Sequence, residues 1–138
     1  DMTRFNISLE DGVSMVLWAI ENALGSEIFV PKIPSYKIET VAKAIAPNAK
    51  LLDVGIRPGE KLHEEMITIS DAMNTIDIEK YYAILPSGVN KMKYLKHFGG
   101  VEVAKDFSYS SEENNEWVSV EEMRELIVKF VNLKFKPF

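Results

Sequence analysis

The run Gly55-Ile56-Arg57-Pro58-Gly59-Glu60-Lys61-Leu62-His63-Glu64-Glu65-Met66 sets a guanidinium and a carboxylate three residues apart across a Pro-Gly pair. Pro58 fixes its own φ and Gly59 tolerates a positive one, so the backbone can reverse between Arg57 and Glu60 and turn both toward one ligand. A guanidinium matches a pair of phosphate oxygens, whereas a carboxylate accepts hydrogen bonds from vicinal hydroxyls such as those of a ribose. A nucleotide-sugar presents both groups. The competing reading is a surface turn whose two charges are solvated or paired with each other.

His63-Glu64-Glu65 invites a metal reading, but a zincin-type helix needs a second histidine four residues after the first, and Ile67 stands there. The other histidine, His97, is remote in sequence. Lys61, Glu64 and Glu65 therefore read as a solvated or interdomain face, with Lys61 able to add charge near phosphates. Arg4, between Thr3 and Phe5, is by itself an ordinary surface ion-pair residue. Lys91, Lys93 and Lys96 with Tyr94 form a short basic run that acidic surroundings make a solvated edge, not an RNA site.

The elements that must position these groups follow from spacing. Ser8 and Asp11 make a capping-type start, after which Leu9, Val13, Val16, Leu17, Ile20 and Leu24 recur at helical spacing and Gly25 supplies a stop. This pattern predicts a helix burying that stripe, with Trp18 and Met15 off it. Ile28 to Val30 reads as a short buried strand ended by Pro31, and Val41, Ala42 and Ile45 as a second helix closed by Pro47. Leu51 to Val54 then reads as a strand delivering Arg57, which predicts α/β packing with a right-handed crossover if the strands share a sheet. A short helix is expected over Lys61 to Ile67, a strand over Tyr81 to Leu85, and strand or loop between Val89 and Asp106. Ser119 with Glu122 is a capping box. It opens a last helix whose buried face is Met123, Leu126, Ile127, Phe130 and Val131, with Val118 and Met123 as a staple. The polar run Ser110 to Glu116 reads as a surface loop.

Composition bounds the function. At 138 residues and 46% hydrophobic the chain is long enough for one compact domain. A net charge of −5 and a pI near 5.1 argue against general affinity for nucleic acid or anionic lipid, while leaving room for a local arginine pocket. The absence of cysteine excludes disulfides, thiolate catalysis and Cys-based zinc sites, so nothing calls for an oxidising compartment and the cytoplasm is the expected location. No apolar run is long enough for a membrane span, and the N-terminus has no signal-peptide pattern.

Three segments carry a resemblance: Asp1-Met2-Thr3-Arg4-Phe5, Ile28-Phe29-Val30-Pro31-Lys32-Ile33-Pro34-Ser35 and Arg57 to Ile67. With Phe107-Ser108-Tyr109-Ser110-Ser111, Asn114 and Trp117 to Glu122, they resemble the C-terminal part of the extended short-chain dehydrogenase/reductase enzymes that modify nucleotide-sugars. Within that group the closest likeness is to the inverting UDP-N-acetylglucosamine 4,6-dehydratases of the pseudaminic-acid pathway. The likeness is weakest between Ser87 and Asp106. It implies an α/β fold of short strands with packed helices, in which the Rossmann core is largely absent and residues 1–138 form a single C-terminal substrate-binding domain. It also implies a UDP-sugar ligand held by Arg4, Arg57, Glu60 and Lys61, with Arg4 and Arg57 sharing the diphosphate charge and Glu60 marking the ribose.

Such a parent enzyme uses NADP held by an N-terminal domain. The seven glycines here include no GxGxxG, and none of the five tyrosines is followed by Lys four residues later. The expectation is therefore a fragment that lacks its NADP-binding domain, holds no cofactor and is inactive alone, from a parent that is a homo-oligomer. Two rivals remain open: a retaining dehydratase or epimerase acting on a related UDP-sugar, and a stand-alone interaction module. Self-association of the fragment is expected through Phe5, Ile7, Trp18 and Ile28 to Val30, taken as surface left by the missing half.

Overall fold

The computed structural model describes residues 1–138. Strand β1 (Thr3–Phe5) leads to helix α1 (Leu9–Asn22), then to strands β2 (Ile28–Pro31) and β3 (Ser35–Lys37) and helix α2 (Ile38–Ile45). A long irregular stretch precedes β4 (Glu65–Ile67), a 3₁₀ helix (Ile69–Asn74), β5 (Thr75–Ile78) and β6 (Tyr81–Ile84). Helix α3 (Lys91–Phe98), strands β7 (Val101–Glu102) and β8 (Tyr109–Ser110) and helix α4 (Val120–Phe130) complete the mixed α/β chain. It divides into two compact units, each discontinuous in sequence: Asp1–Ser8 with Ile33–Glu64 and Ser111–Phe138, and Leu9–Lys32 with Glu65–Ser110.

In the first unit β1 and β3 pair antiparallel with Arg4 opposite Tyr36. Helix α2 packs on α4 around Ala44, Val118 and Met123, flanked by Tyr36, Val41, Leu126 and Ile127. The capping box forms as its spacing predicts: the Glu122 carboxylate accepts from the Ser119 amide at 2.7 Å, and the Glu122 amide donates to Ser119 Oγ at 3.2 Å. These bonds hold the Glu122 carboxyl below its ordinary pKa, the backbone donor contributing most. The expected buried stripe of α4 is cut short, because Phe130 ends the helix and Val131, just beyond it, is 78% exposed.

In the second unit a four-stranded antiparallel sheet runs in the order β2-β6-β5-β7, and β4 pairs separately with β8. No right-handed crossover forms, since β2 pairs with β6 and Leu51 to Val54 joins no strand. The core is Ile76, Ile78, Ala83, Leu85 and Tyr94, with Trp18, Phe29 and Phe98 against it. Trp18 meets Phe29 edge-on at 5.1 Å between ring centroids and lies 4.6 Å from Tyr81.

The Trp18 face of α1 is thus the one packed against the core, although no residue of the helix is fully buried. Of the stripe expected inside, Leu9, Val13, Val16, Leu17 and Ile20 are 51–83% exposed, and Leu24 alone packs against the core. Both faces of α1 are apolar, and the aromatic rings of the sheet select the face that carries an aromatic partner. Of the residues expected to be exposed, Ile7 and Ile28 are, Phe5 is half-buried, and Trp18 and Val30 are packed. Helix α3 occupies part of the stretch expected as strand or loop. Only Tyr94 is buried on it, so it leaves little periodicity, and its signals are its ends: Asn90 Oδ1 accepts from the Met92 amide, and Gly99 stops it at φ +67°.

Candidate functional site

All four residues singled out for ligand binding lie in the first unit. The Arg57 carbonyl accepts from the Glu60 amide at 3.0 Å, and Gly59 takes φ +81°, the pattern of a type II turn with Pro58 leading it. Glu60 Oε2 returns to accept from the Arg57 amide at 3.2 Å, so the carboxylate closes the turn as well as facing outward. Just upstream, Asp53 Oδ1 accepts from the Gly55 amide at 2.8 Å, a second local lock. Arg57, Glu60 and Lys61 are exposed, and the Arg57 guanidinium and Lys61 ammonium make no hydrogen bond or ion pair.

Arg4 is held very differently. Its Nη1 donates to the Thr3 carbonyl at 2.6 Å and the Leu62 carbonyl at 3.2 Å, and its Nη2 to the Lys61 carbonyl at 3.0 Å. Nη2 also faces Met2 Sδ at 3.2 Å, and Nε lies 3.7 Å from Glu64 Oε1, with the side chain 20% exposed. Each Nη nitrogen thus has two partners within the chain, and Nε faces a carboxylate.

Below Arg4 a polar cluster ties three distant segments together. Glu64 Oε2 accepts from the Phe5 amide at 2.9 Å, the Glu64 amide donates to Ser111 Oγ at 2.9 Å, and the Ser111 amide donates to the Glu64 carbonyl at 2.7 Å. Thr3 Oγ1 shares hydrogen bonds with Ser111 Oγ at 2.7 Å and with His63 Nδ1 at 2.8 Å, while His63 Nε2 sits 3.5 Å from a Glu112 carboxylate oxygen. These bonds use the backbone of Leu62 and Glu64, as does the Thr3 amide donating to the Leu62 carbonyl. That is why the helix expected over Lys61 to Ile67 does not form.

The sequence reading missed this cluster. Glu64 was expected as part of a solvated face and is half-buried with its amide, carbonyl and carboxylate all bonded. Ser111, expected in a surface loop, is fully buried, and Asn114 donates to the Ile33 carbonyl at 2.7 Å and Ser35 Oγ at 3.0 Å. Buried polar side chains have their hydrogen bonds made, and Ser111 meets that condition through Glu64 and Thr3. His63 has Thr3 and Glu112 at its ring nitrogens, and no three His, Asp or Glu side chains gather into a metal-holding group. Thr3 Oγ1, His63 and Glu112 align a hydroxyl, an imidazole and a carboxylate, with Thr3 buried, while the exposed Arg57 and Lys61 leave free cations at the turn.

Residues 1–86 match the model of a family described as Polysaccharide biosynthesis protein. The chain belongs to that family. Among curated relatives it is 50% identical over 132 residues to a UDP-N-acetylglucosamine 4,6-dehydratase (inverting) of Campylobacter jejuni serotype O:2, and 47% identical over 133 residues to that of serotype O:23/36. Each alignment covers 91% of this chain and 40% of the relative. A UDP-glucose 4-epimerase of Rickettsia canadensis is 35% identical, with 92% of this chain and 38% of the relative covered. The X-ray structure of Pen from Bacillus thuringiensis superposes with a TM-score of 0.74 at 25% identity, covering 93% of this chain and 39% of that one. The family member described here thus spans about two fifths of the length of the curated relatives it matches.

Proposed function

We propose that this chain is the C-terminal, substrate-side portion of a UDP-N-acetylglucosamine 4,6-dehydratase of the inverting, C5-epimerising type. Such an enzyme supplies modified sugars for bacterial surface or flagellin glycans, the pseudaminic-acid route being the case we favour. The observation that carries this reading is the identity of 47–50% to two such dehydratases over nearly the whole chain, against 35% for a UDP-glucose 4-epimerase. The geometry supports it through Arg57, whose guanidinium stands free on a rigid turn where a diphosphate can be taken bidentately.

In this proposal Arg57 and Lys61 meet the diphosphate, and the outward oxygen of Glu60 accepts from the ribose. Arg4 adds charge from behind the turn and reaches a phosphate oxygen by giving up its long bond to the Leu62 carbonyl. Binding energy gathered at UDP orients the sugar for chemistry elsewhere in the enzyme. The chain has no glycine-rich dinucleotide turn, so the NADP proposed for the parent is held by residues outside it, and the isolated chain is inactive in this reading. A cytoplasmic homo-oligomer fits a cysteine-free chain in which no helix is long and apolar enough to cross a membrane and one helix displays an apolar face.

The test is product analysis by NMR with the full-length enzyme, NADP and UDP-N-acetylglucosamine. A 4-keto-6-deoxy sugar inverted at C5 is expected. Retention at C5 would place the enzyme with the retaining dehydratases, and a product changed only at C4 with the epimerases.

A further inference from the structure

We infer that Glu64 is the positioning residue of the proposed UDP clamp, acting on ligand affinity through Arg4 and the turn at Arg57, although it touches no ligand itself. The inference rests on the clamp proposed above. The two oxygens of one carboxylate face two different groups of strand β1: Oε2 accepts from the Phe5 amide at 2.9 Å, and Oε1 lies 3.7 Å from Arg4 Nε. The Nη edge of that guanidinium is then directed at the carbonyls of Lys61 and Leu62, the residues that follow the turn. Glu64 therefore fixes the direction in which Arg4 pulls, and Arg4 fixes the chain end from which Arg57, Glu60 and Lys61 project.

The anchor beneath it is rigid. Glu64 is bound through both its amide and its carbonyl to Ser111, which is 0% exposed. By contrast, the fourteen residues from Pro47 to Glu60 are exposed throughout, so their only ties are local turns and this terminal clamp. A turn on an exposed segment keeps its internal shape through Pro58 and Gly59, but its placement depends on where the segment is fastened.

Glu64→Gln isolates the effect, since the amide retains an acceptor for Phe5 while the charge facing Arg4 is lost. In the full-length enzyme we expect Glu64→Gln to weaken UDP binding by calorimetry about five- to tenfold and to raise KM for the UDP-sugar equally, with kcat changed less than twofold. In an Arg57→Ala background the same change should weaken UDP by a smaller factor than in the parent, because one of the groups it positions is gone. A purely structural role would instead lower the melting temperature in both backgrounds and leave KM alone, and that result overturns the inference. Ser111→Ala, which keeps the carboxylate and removes the Oγ bonds to the Glu64 amide and to Thr3 Oγ1, is the second variant if Glu64→Gln does not fold. It should weaken UDP binding two- to fivefold, and unchanged affinity there counts equally against the role. If Arg57→Ala binds UDP as the parent does, the clamp itself falls; if Arg57→Ala is weakened and Glu64→Gln is not, only the positioning role falls.

Discussion

Arg4 and Arg57 are the same side chain in opposite settings. Arg4 stands on a strand, four-fifths buried, with carbonyls of three residues and a carboxylate around its guanidinium; Arg57 stands on an exposed turn with its guanidinium unpaired. The first arginine holds the chain to itself, and the second leaves its fork available to something outside. The difference separates a cation satisfied within the chain from one left free at the surface, with Lys61 joining them: its carbonyl receives Arg4 and its own side chain is exposed.

The largest effect that would break this contrast lies in stability. Arg4→Ala should cost about 2–4 kcal/mol in urea unfolding, as expected when a partly buried charge loses its hydrogen bonds and leaves Glu64 without its cation. Arg57→Ala should stay within about 0.5 kcal/mol, as for exposed sites generally. Equal losses would erase the distinction. Ligand binding should invert the ranking: Arg57→Ala in the full-length enzyme should weaken UDP by about 1.5–3 kcal/mol, roughly ten- to a hundredfold. Arg57→Lys should recover only part, because an ammonium keeps charge and loses the fork. Unchanged calorimetric affinity for Arg57→Ala would remove the ligand-facing role.

A smaller effect tests the turn alone. Nothing crowds a Cβ at Gly59, but its φ of +81° does not suit an L-residue, so Gly59→Ala should cost about 1–2 kcal/mol from backbone conformation and lower UDP affinity with it. The smallest effect concerns a charge far from either arginine in role. Glu122 and Asp71 have lowered native pKa values, from hydrogen bonds with Ser119 and Thr68 respectively. The folded chain therefore binds fewer protons than the unfolded one as carboxylates titrate. Their contribution is present above the ordinary carboxylate pKa and is lost as pH falls through the lower native values. Circular dichroism during acid titration should show this loss reduced in Ser119→Ala. An identical acid profile would mean that the cap does not carry it.

Sequence revealed what neighbouring residues decide. The Arg57 to Glu60 turn was legible because Pro58 and Gly59 set their own backbone angles, and the Ser119–Glu122 cap because its partners are three residues apart. Strand β2 and the helices α2 and α4 followed from short apolar patterns. The Glu64–Ser111 bond was not legible, because it joins residues 47 apart and neither type announces burial. Which face of α1 would be covered was also hidden. The aliphatic stripe outnumbers Trp18, and only the rings of Phe29, Tyr81 and Phe98, brought together by the sheet and α3, decide the matter.

That uncovered stripe also bears on how the protein responds to heat. The heat-capacity change of unfolding measures apolar surface newly given to water, and an ordinary chain of this length shows about 1.7–2.1 kcal/mol/K. Here Leu9, Val13, Val16, Leu17 and Ile20 are already more than half in solvent before unfolding begins, as are Leu52, Val54 and Ile56. Calorimetry on the isolated chain should find a value below that range and a correspondingly flat stability curve, with cold weakening the fold less than it weakens a fully packed domain. Adding whatever covers the α1 stripe should raise the heat-capacity change and sharpen the temperature of greatest stability.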